Sequence, residues 1–421
     1  MDAGSDVAER ASRKAAEDVA RRSYGKLVAL LASRHRDIAG AEDALADAFA
    51  AALVEWAQSG VPANPEGWLM TVARRKWIDA SRRQKTVEGA SDHLRLVFEE
   101  RVDADDREDE LADERLALMF ACAHPAIDVG IRAPLILQTI LGFDAVAIGS
   151  AFLVSPKTMG QRLVRAKRKI REAGISFQRP EGPELAERLG AVLEAIYAAY
   201  AEGWADPSGT DLRRRDLAEE AIWLGRLVVA LLPEEAEALG LLSLMLHAQA
   251  RRAARHDDEG EYVPLAEQDP ARWDKDMLEE AEAVLVRASR LDGGTGRYQL
   301  EAAVQSAHAV RRATGRADWS AIAAIYGVLL ELTGSPVVAV NHAVALAEVE
   351  GPAAGLASLD AVAADARLET YQPYWAARAE LLARAGDVAA ARDAYERAIG
   401  LESDASIRRF LDRRRQALPA R

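Results

Sequence analysis

Apolar residues recur at helical spacing along most of the chain. Over 41–58, Ala44, Leu45, Ala48, Phe49, Ala52, Leu53 and Trp56 form one stripe, and Glu42, Asp43, Asp47 and Glu55 lie off it. The stretch Gln58–Pro65 follows, and its glycine and two prolines break the helix. Residues 67–84 predict the next helix, with Trp68, Leu69, Val72, Trp77 and Ile78 apolar and basic residues on the other side. Residues 145–171 predict a short apolar helix, a brief turn and a helix that starts at Pro156, with Ser155 as its N-cap. Val146, Ile148, Ala151 and Leu153, with Met159, Leu163, Val164 and Ile170, supply the apolar faces that pack these two helices together. From 184 onward helix follows helix, about eleven in all, separated by short Gly/Pro turns. The fold class that follows is all-α.

The C-terminal helices pair: 184–203 with 216–232, 234–255 with 274–290, and 297–314 with 319–333. In the last pair of the chain, Trp375, Ala379, Leu382, Gly386, Ala391, Tyr395 and Ala398 fall at the small, large and glycine positions of a tetratricopeptide (TPR) repeat, with Ser403 where proline is usual. Each hairpin would leave an apolar face bare on its own, so stacking into a TPR-like solenoid over 184–421 is the physical expectation.

Charge changes the picture in two places. Of 54 basic and 67 acidic residues, 27 and 27 lie in 1–180, which leaves 27 and 40 for 181–421. The net charge of −13 therefore belongs to the second half, while the first half is neutral but polarised. Its basic clusters are Arg74–Lys76, Arg82–Lys85 and Lys157–Arg171, and local patches of this kind attract phosphates. The helix from Pro156 carries seven basic residues and no acid between Lys157 and Arg171. Lys157, Thr158, Gln161, Arg162 and Arg165 share one face near its N-terminus, where a helix-turn-helix meets base edges in the major groove. Lys167, Arg168, Lys169 and Arg171 come later and suit phosphates. The bland alternative is a solvated basic helix. Residues 87–112, with Asp103, Asp105, Asp106, Glu108, Asp109 and Glu110, read as an acidic linker between helical blocks at 16–86 and 113–175.

The strings AEDALADAFAAALVEW, NPEGWLMTVARRKWIDASRR and FLVSPKTMGQRLVRAKRKI occur in this order and resemble regions 2 and 4 of an extracytoplasmic-function (ECF) sigma factor of the sigma-70 family. The later half, with LDGGTGRYQLEAAVQSAHA and its TPR-like tail, is similar to the subgroup that carries a C-terminal extension. The resemblance implies a protein that brings RNA polymerase core to promoter DNA, through the β′ clamp and the β flap. It implies that Asp43, Asp47 and Phe49 dock on the clamp, with Ala46 standing where glutamine is common. Asn64, in the loop that captures a flipped −10 base, would act with Trp68, Arg74, Arg75, Lys76, Arg82 and Arg83. Ala73-Arg74-Arg75 departs from the commoner Ala-Arg-Asn. Lys157, Thr158, Gln161, Arg162, Arg165, Lys167 and Arg168 would read −35, and the acidic linker would thread toward the RNA channel or serve as a charged tether.

Asp292, Gly293, Gly294 and Thr295 sit between two predicted helices and admit three readings. They are turn chemistry with Thr295 as N-cap, or an anion cradle, or, by the resemblance, a regulatory motif through which the extension contacts the sigma core or polymerase. No GK[ST] follows, so this is not a P-loop. Trp77 reads as core in preference to base stacking. Cys122 and His124 have no further cysteine to complete a zinc site, so neither metal nor cofactor is expected. The single cysteine fits a reducing cytoplasm. No apolar run spans a bilayer, no signal peptide is expected, and no catalytic constellation stands out, so an enzyme is not indicated. A TPR adaptor with a basic module, or a conventional helix-turn-helix repressor, would also fit parts of the chain. Both leave Gln58–Pro65 and the clamp-like helix without a role.

Overall fold

Helix boundaries in the computed structural model, which describes residues 3–35, 37–88, 107–152, 154–204, 212–291 and 295–419, follow the caps and breakers of the sequence. The chain divides into two compact units, Met1–Ala199 and Tyr200–Arg421, and the division falls within the first helix of the expected extension. The described residues are all-α, with nineteen α-helices joined by turns and one-turn 3-10 helices.

The N-terminal unit holds α1 (Ala3–His35), α2 (Ile38–Ser59), α3 (Pro65–Glu88), α4 (Arg107–Cys122), α5 (Val129–Leu141), α6 (Ala145–Ala151), α7 (Pro156–Glu172) and most of α8 (Pro183–Trp204). Asp37 starts α2 by accepting a hydrogen bond from the Gly40 N–H at 3.2 Å. The buried stripe Ile38, Ala41, Ala44, Leu45, Ala48, Ala52 and Trp56 turns α2 inward, toward α1 and α3. Leu53 lies outside that stripe and is exposed. α3 is tied to α1 at its first turn, where Glu66 accepts from Ser23 Oγ at 2.5 Å and Lys26 Nζ at 2.8 Å. Helix enters the expected linker 87–112 at both ends. α3 runs to Glu88 and α4 begins at Arg107, because the apolar run Leu116–Cys122 carries a helix that extends back into the acidic stretch. The residues between, Asp103, Asp105 and Asp106 among them, lie outside the described residues. α4 and α5 pack against α1, and buried Arg132 holds the turn before α5 by donating to the carbonyls of Ile127 (3.0 Å) and Pro125 (3.2 Å).

The C-terminal unit continues with α9 (Leu212–Leu231), α10 (Ala236–Ala250), α11 (Lys275–Ala288), α12 (Arg297–Ala309), α13 (Arg311–Thr314) and α14 (Trp319–Thr333). It ends with α15 (Pro336–Glu350), α16 (Pro352–Val362), α17 (Gln372–Ala385), α18 (Val388–Leu401) and α19 (Ala405–Gln416). Helices close in sequence pack on one another along the unit, and α17 and α18 meet through buried Ala379, Ala394, Tyr395 and Ala398. α10 ends at Ala250, five residues before the expected limit. There Arg252 and Arg255 turn back to donate to the carbonyls of Gly203 (3.3 Å) and Trp204 (2.9 Å) at the end of α8. The last helix returns to this region: Arg409 and Arg413 bind Glu261 at 2.7 and 2.6 Å, Arg414 pairs with Glu267, and Phe410 meets Tyr262 edge-on at 5.5 Å. The helical layer thereby curls until its end meets the segment between α10 and α11.

The N-terminus of α12 is not capped by Thr295, which is exposed. The Glu237 carboxylate, from the first turn of α10, accepts from the N–H groups of Tyr298 (2.9 Å) and Gln299 (3.1 Å). Gly296 makes room for this arrangement, since a Cβ there would stand 2.2 Å from Glu237 Cδ. A Glu237→Ala chain should therefore lose about 1–3 kcal/mol of stability in this unit, read as a lower urea midpoint and faster amide exchange at the start of α12. Unchanged exchange there would rule the cap out.

Candidate nucleic-acid interface

On α2, Asp43, Ala46 and Asp47 are exposed, Phe49 is half-buried, and Leu53 and Val54 extend an apolar ledge along the outer face. Burying Ile38, Ala41, Leu45 and Ala48 on one side forces the acids to the other. At the head of α3, Asn64 is exposed, but its Oδ1 accepts from the Gly67 N–H at 2.9 Å, so it also caps the helix. Trp68 is half-buried and meets Trp56 edge-on at 5.4 Å. Arg75 and Lys76 are exposed and Arg74 is half-buried. Trp77 covers Gly40, where an added Cβ would stand 2.3 Å from the indole ring, so it is a packing residue. The side chains of Arg82 and Arg83 lie outside the described residues.

α6 and α7 join through a turn that brings the Val154 N–H to the Gly149 carbonyl at 2.8 Å. Ser155 caps α7 from the Thr158 N–H at 3.3 Å, and Pro156 occupies the first position. Met159, Leu163, Ala166 and Ile170 are buried with Ile148. That burial leaves Lys157, Thr158, Gln161, Arg162 and Arg165 exposed together on one face, with Arg168, Lys169 and Arg171 exposed further along. Val146 and Val164, expected to pack the two helices, are 61% and 65% exposed. Leu153 and the side chain of Ala151 lie outside the described residues.

Lys167 departs from expectation. It is buried, and its Nζ binds Glu42 Oε2 at 2.5 Å, with the two side chains only 9% and 17% exposed. Arg171 reaches Asp37, the cap of α2, at 3.5 Å. The basic helix is thus held on the acidic helix by charge pairs 125 and 134 residues apart in sequence. Burial pushes the Glu42 carboxyl above its ordinary range, with Asp43 and Asp37 adding to the rise while Lys167 opposes it. The sequence pattern puts Glu42 off the apolar stripe, with Asp43, Asp47 and Glu55. Only its position beside buried Ala41 hints otherwise, and nothing local names its partner.

Cys122 and His124 do not converge. Burial pushes the Cys122 thiol up to about 12, beside the Thr139 hydroxyl at 3.5 Å, while His124 Nδ1 accepts from the Ala126 N–H at 3.0 Å to form a turn. Asp292, Gly293 and Gly294 lie outside the described residues. No described helix is long and apolar enough to cross a membrane.

With this geometry in view, residues 19–87, which hold the later half of α1, α2 and α3 but for its last residue, match sigma-70 region 2. Residues 188–289 match a family of unknown function (DUF6596). An uncharacterized protein of Rhizobium meliloti (strain 1021) is 38% identical over 381 residues, covering 88% of each chain. No solved structure matches. The chain belongs to one family with that Rhizobium meliloti protein, and its residues 19–87 match sigma-70 region 2, which supports a part in transcription initiation with RNA polymerase core and promoter DNA.

Proposed function

We propose that this protein is a sigma-70 family member of the ECF type that works in the cytoplasm and selects promoters through two separate DNA-reading modules. α2 docks on the β′ clamp through Asp43, Asp47 and Phe49. Asn64 and the α3 residues Trp68, Arg74, Arg75, Lys76, Arg82 and Arg83 take the melted −10 strand. α6 and α7 act as a helix-turn-helix near the β flap. Lys157, Thr158, Gln161, Arg162 and Arg165 meet base edges at −35, and Arg168 meets phosphate. The helices beyond 184 form a TPR-like extension that regulates the sigma modules, with Asp292, Gly293, Gly294 and Thr295 as its contact motif.

The observation that best supports this reading is the sorting of side chains on α7. Every residue expected at base edges is exposed, and the apolar residues beneath them are buried. In this reading the packing of α7 on α2 is a closed form. Elements named −35 and −10 lie about 25 base pairs apart, roughly 85 Å of duplex at 3.4 Å per pair, and helices in direct contact cannot reach both. Lys167 becomes available to phosphate only when it leaves Glu42.

Run-off transcription with purified core polymerase and upstream fragments from the source genome tests the proposal. Discrete starts should appear only with the protein present, and Asp43→Ala/Asp47→Ala should reduce them at least tenfold. Starts that are absent at every protein concentration, together with no co-migration with core, would favour an adaptor. Sequence-specific duplex binding without polymerase would favour a repressor.

A further inference from the structure

The curled C-terminal unit carries an open cavity of about 810 Å³ walled by Leu265, Trp273, His308, Arg311, Arg316 and Trp319 among others. Its size falls within the range of small-molecule sites. We propose that this cavity binds a small organic carboxylate with a flat apolar body. The inference rests on the C-terminal unit alone and does not depend on the sigma factor reading.

Two kinds of group line or back the wall. The apolar kind is the pair of indoles, Trp273 and Trp319, with Leu265 beside them. The cationic kind is uncompensated. Arg316 forms no ion pair among the described residues, and Arg311 spends its guanidinium on the carbonyls of Leu265 (2.7 Å) and Gln268 (2.5 Å), with no carboxylate. The acids at the rim are committed elsewhere. Asp318 caps α14 at the Ala321 N–H (3.0 Å), and Glu348 is paired with Arg384. The cavity therefore presents positive charge beside flat apolar surface.

The second observation is a set of buried donors without acceptors. Trp273 is 3% exposed and its Nε1–H has no hydrogen-bond partner. Arg251 lies against it, with Cζ 6.0 Å from the ring centre. One Arg251 terminal nitrogen donates to Gln305, while the other, Nη1, is buried without a partner. Burial lowers this guanidinium to about 10, and no carboxylate offsets it. His308, held neutral with a pKa near 4 by burial and by Arg251 and Arg311, reports the same positive field. It meets Trp319 edge-on at 5.4 Å. Leaving a buried donor unpaired costs about 1–3 kcal/mol, and burying an uncompensated cation costs more. A carboxylate in the cavity would pair with Arg316 and carry the charge that the field of Arg251 and Arg311 lacks, and its flat body fits against the indoles. The Arg409, Arg413 and Arg414 pairs from α19 hold the segment that carries Leu265, so the wall is fixed from behind.

The test is calorimetric titration of the full chain with 1-naphthoate and with its neutral counterpart 1-naphthamide. Naphthoate should bind one to one and the amide at least tenfold more weakly. Trp273→Phe and Arg316→Gln should each weaken naphthoate at least fivefold. The ligand-free melting temperature should hold for Arg316→Gln, and fall by a few degrees for Trp273→Phe, which removes part of a buried ring together with its unpaired donor. Absence of saturable heat, equal binding of acid and amide, or wild-type binding by both variants would overturn the proposal.

Discussion

Lys167→Met should cost the N-terminal unit about 3–5 kcal/mol, the usual price of stranding one member of a buried ion pair. The methionine keeps the apolar stem in place. It leaves Glu42 buried beside Asp37 and Asp43, with one oxygen, Oε1, that already lacks a partner. Amide exchange in α2 and α7 should accelerate on the order of a hundred- to a thousandfold, since each 1.4 kcal/mol is a factor of ten. Glu42→Leu with Lys167→Met should recover most of the loss, because removing both charges also removes their desolvation. A single variant that loses less than tenfold in protection, or a double variant no better than the single, would show that the pair does not hold the helices together.

The same pair carries a pH signature with a definite sign. Because burial raises the folded-state pKa of Glu42 above its ordinary 4.5, the folded unit keeps a proton at pH values where the unfolded chain has lost it. The contribution is fully present below the unfolded value and declines as pH rises through the folded one, opposite to the usual carboxylate. Glu42→Gln should abolish that part of the slope just above pH 4.5.

Most of the helices could be read from the chain because their signals are local. Ser155-Pro156 starts α7, and the stripe through Ala44, Ala48 and Trp56 gives α2 its inner face, although the Asp37 cap starts α2 at Ile38, before the expected 41. The exposed face of α7 follows from the same arithmetic, since burying Met159, Leu163 and Ile170 leaves Lys157, Gln161 and Arg165 outside. What escaped depends on partners distant in sequence. Lys167 looks like its basic neighbours until Glu42, 125 residues earlier, takes it from solvent. Val164 looks like core until α7 is seen to bury only its other side. Gly296 looks like turn chemistry, but its reason is the carboxylate of Glu237, brought in from another helix. The cavity was invisible, because Trp273, His308 and Arg316 come together only when the layer curls.

Gly25→Ala should force α5 away from α1, and the argument isolates packing from propensity. In an exposed helix interior, alanine is favoured over glycine by about 1 kcal/mol, so α1 itself gains from the change. A Cβ at Gly25, however, would stand 1.7 Å from the Ile140 carbonyl oxygen and 2.6 Å from its carbon. Both atoms are backbone in α5, and no side chain can swing aside to relieve them. The helices must separate by about 2 Å to restore ordinary contact, at the upper end of the roughly 1–3 kcal/mol range for overpacking or beyond it. Gly25 lies within the sigma-70 region 2 match and Ile140 lies outside it, so the substitution acts on the joint between region 2 and the helices that follow. Exchange should accelerate at least tenfold in α5, while the α2 and α3 amides within region 2 lose less than threefold. Unchanged protection in α5 would rule out this helix crossing. Run-off transcription then decides what the joint does. If the packed arrangement is a closed form that must open on promoter DNA, Gly25→Ala should give equal or greater transcript than the parent chain at limiting protein. A protein loosened only at this joint that loses transcription would instead make the packed arrangement the active one.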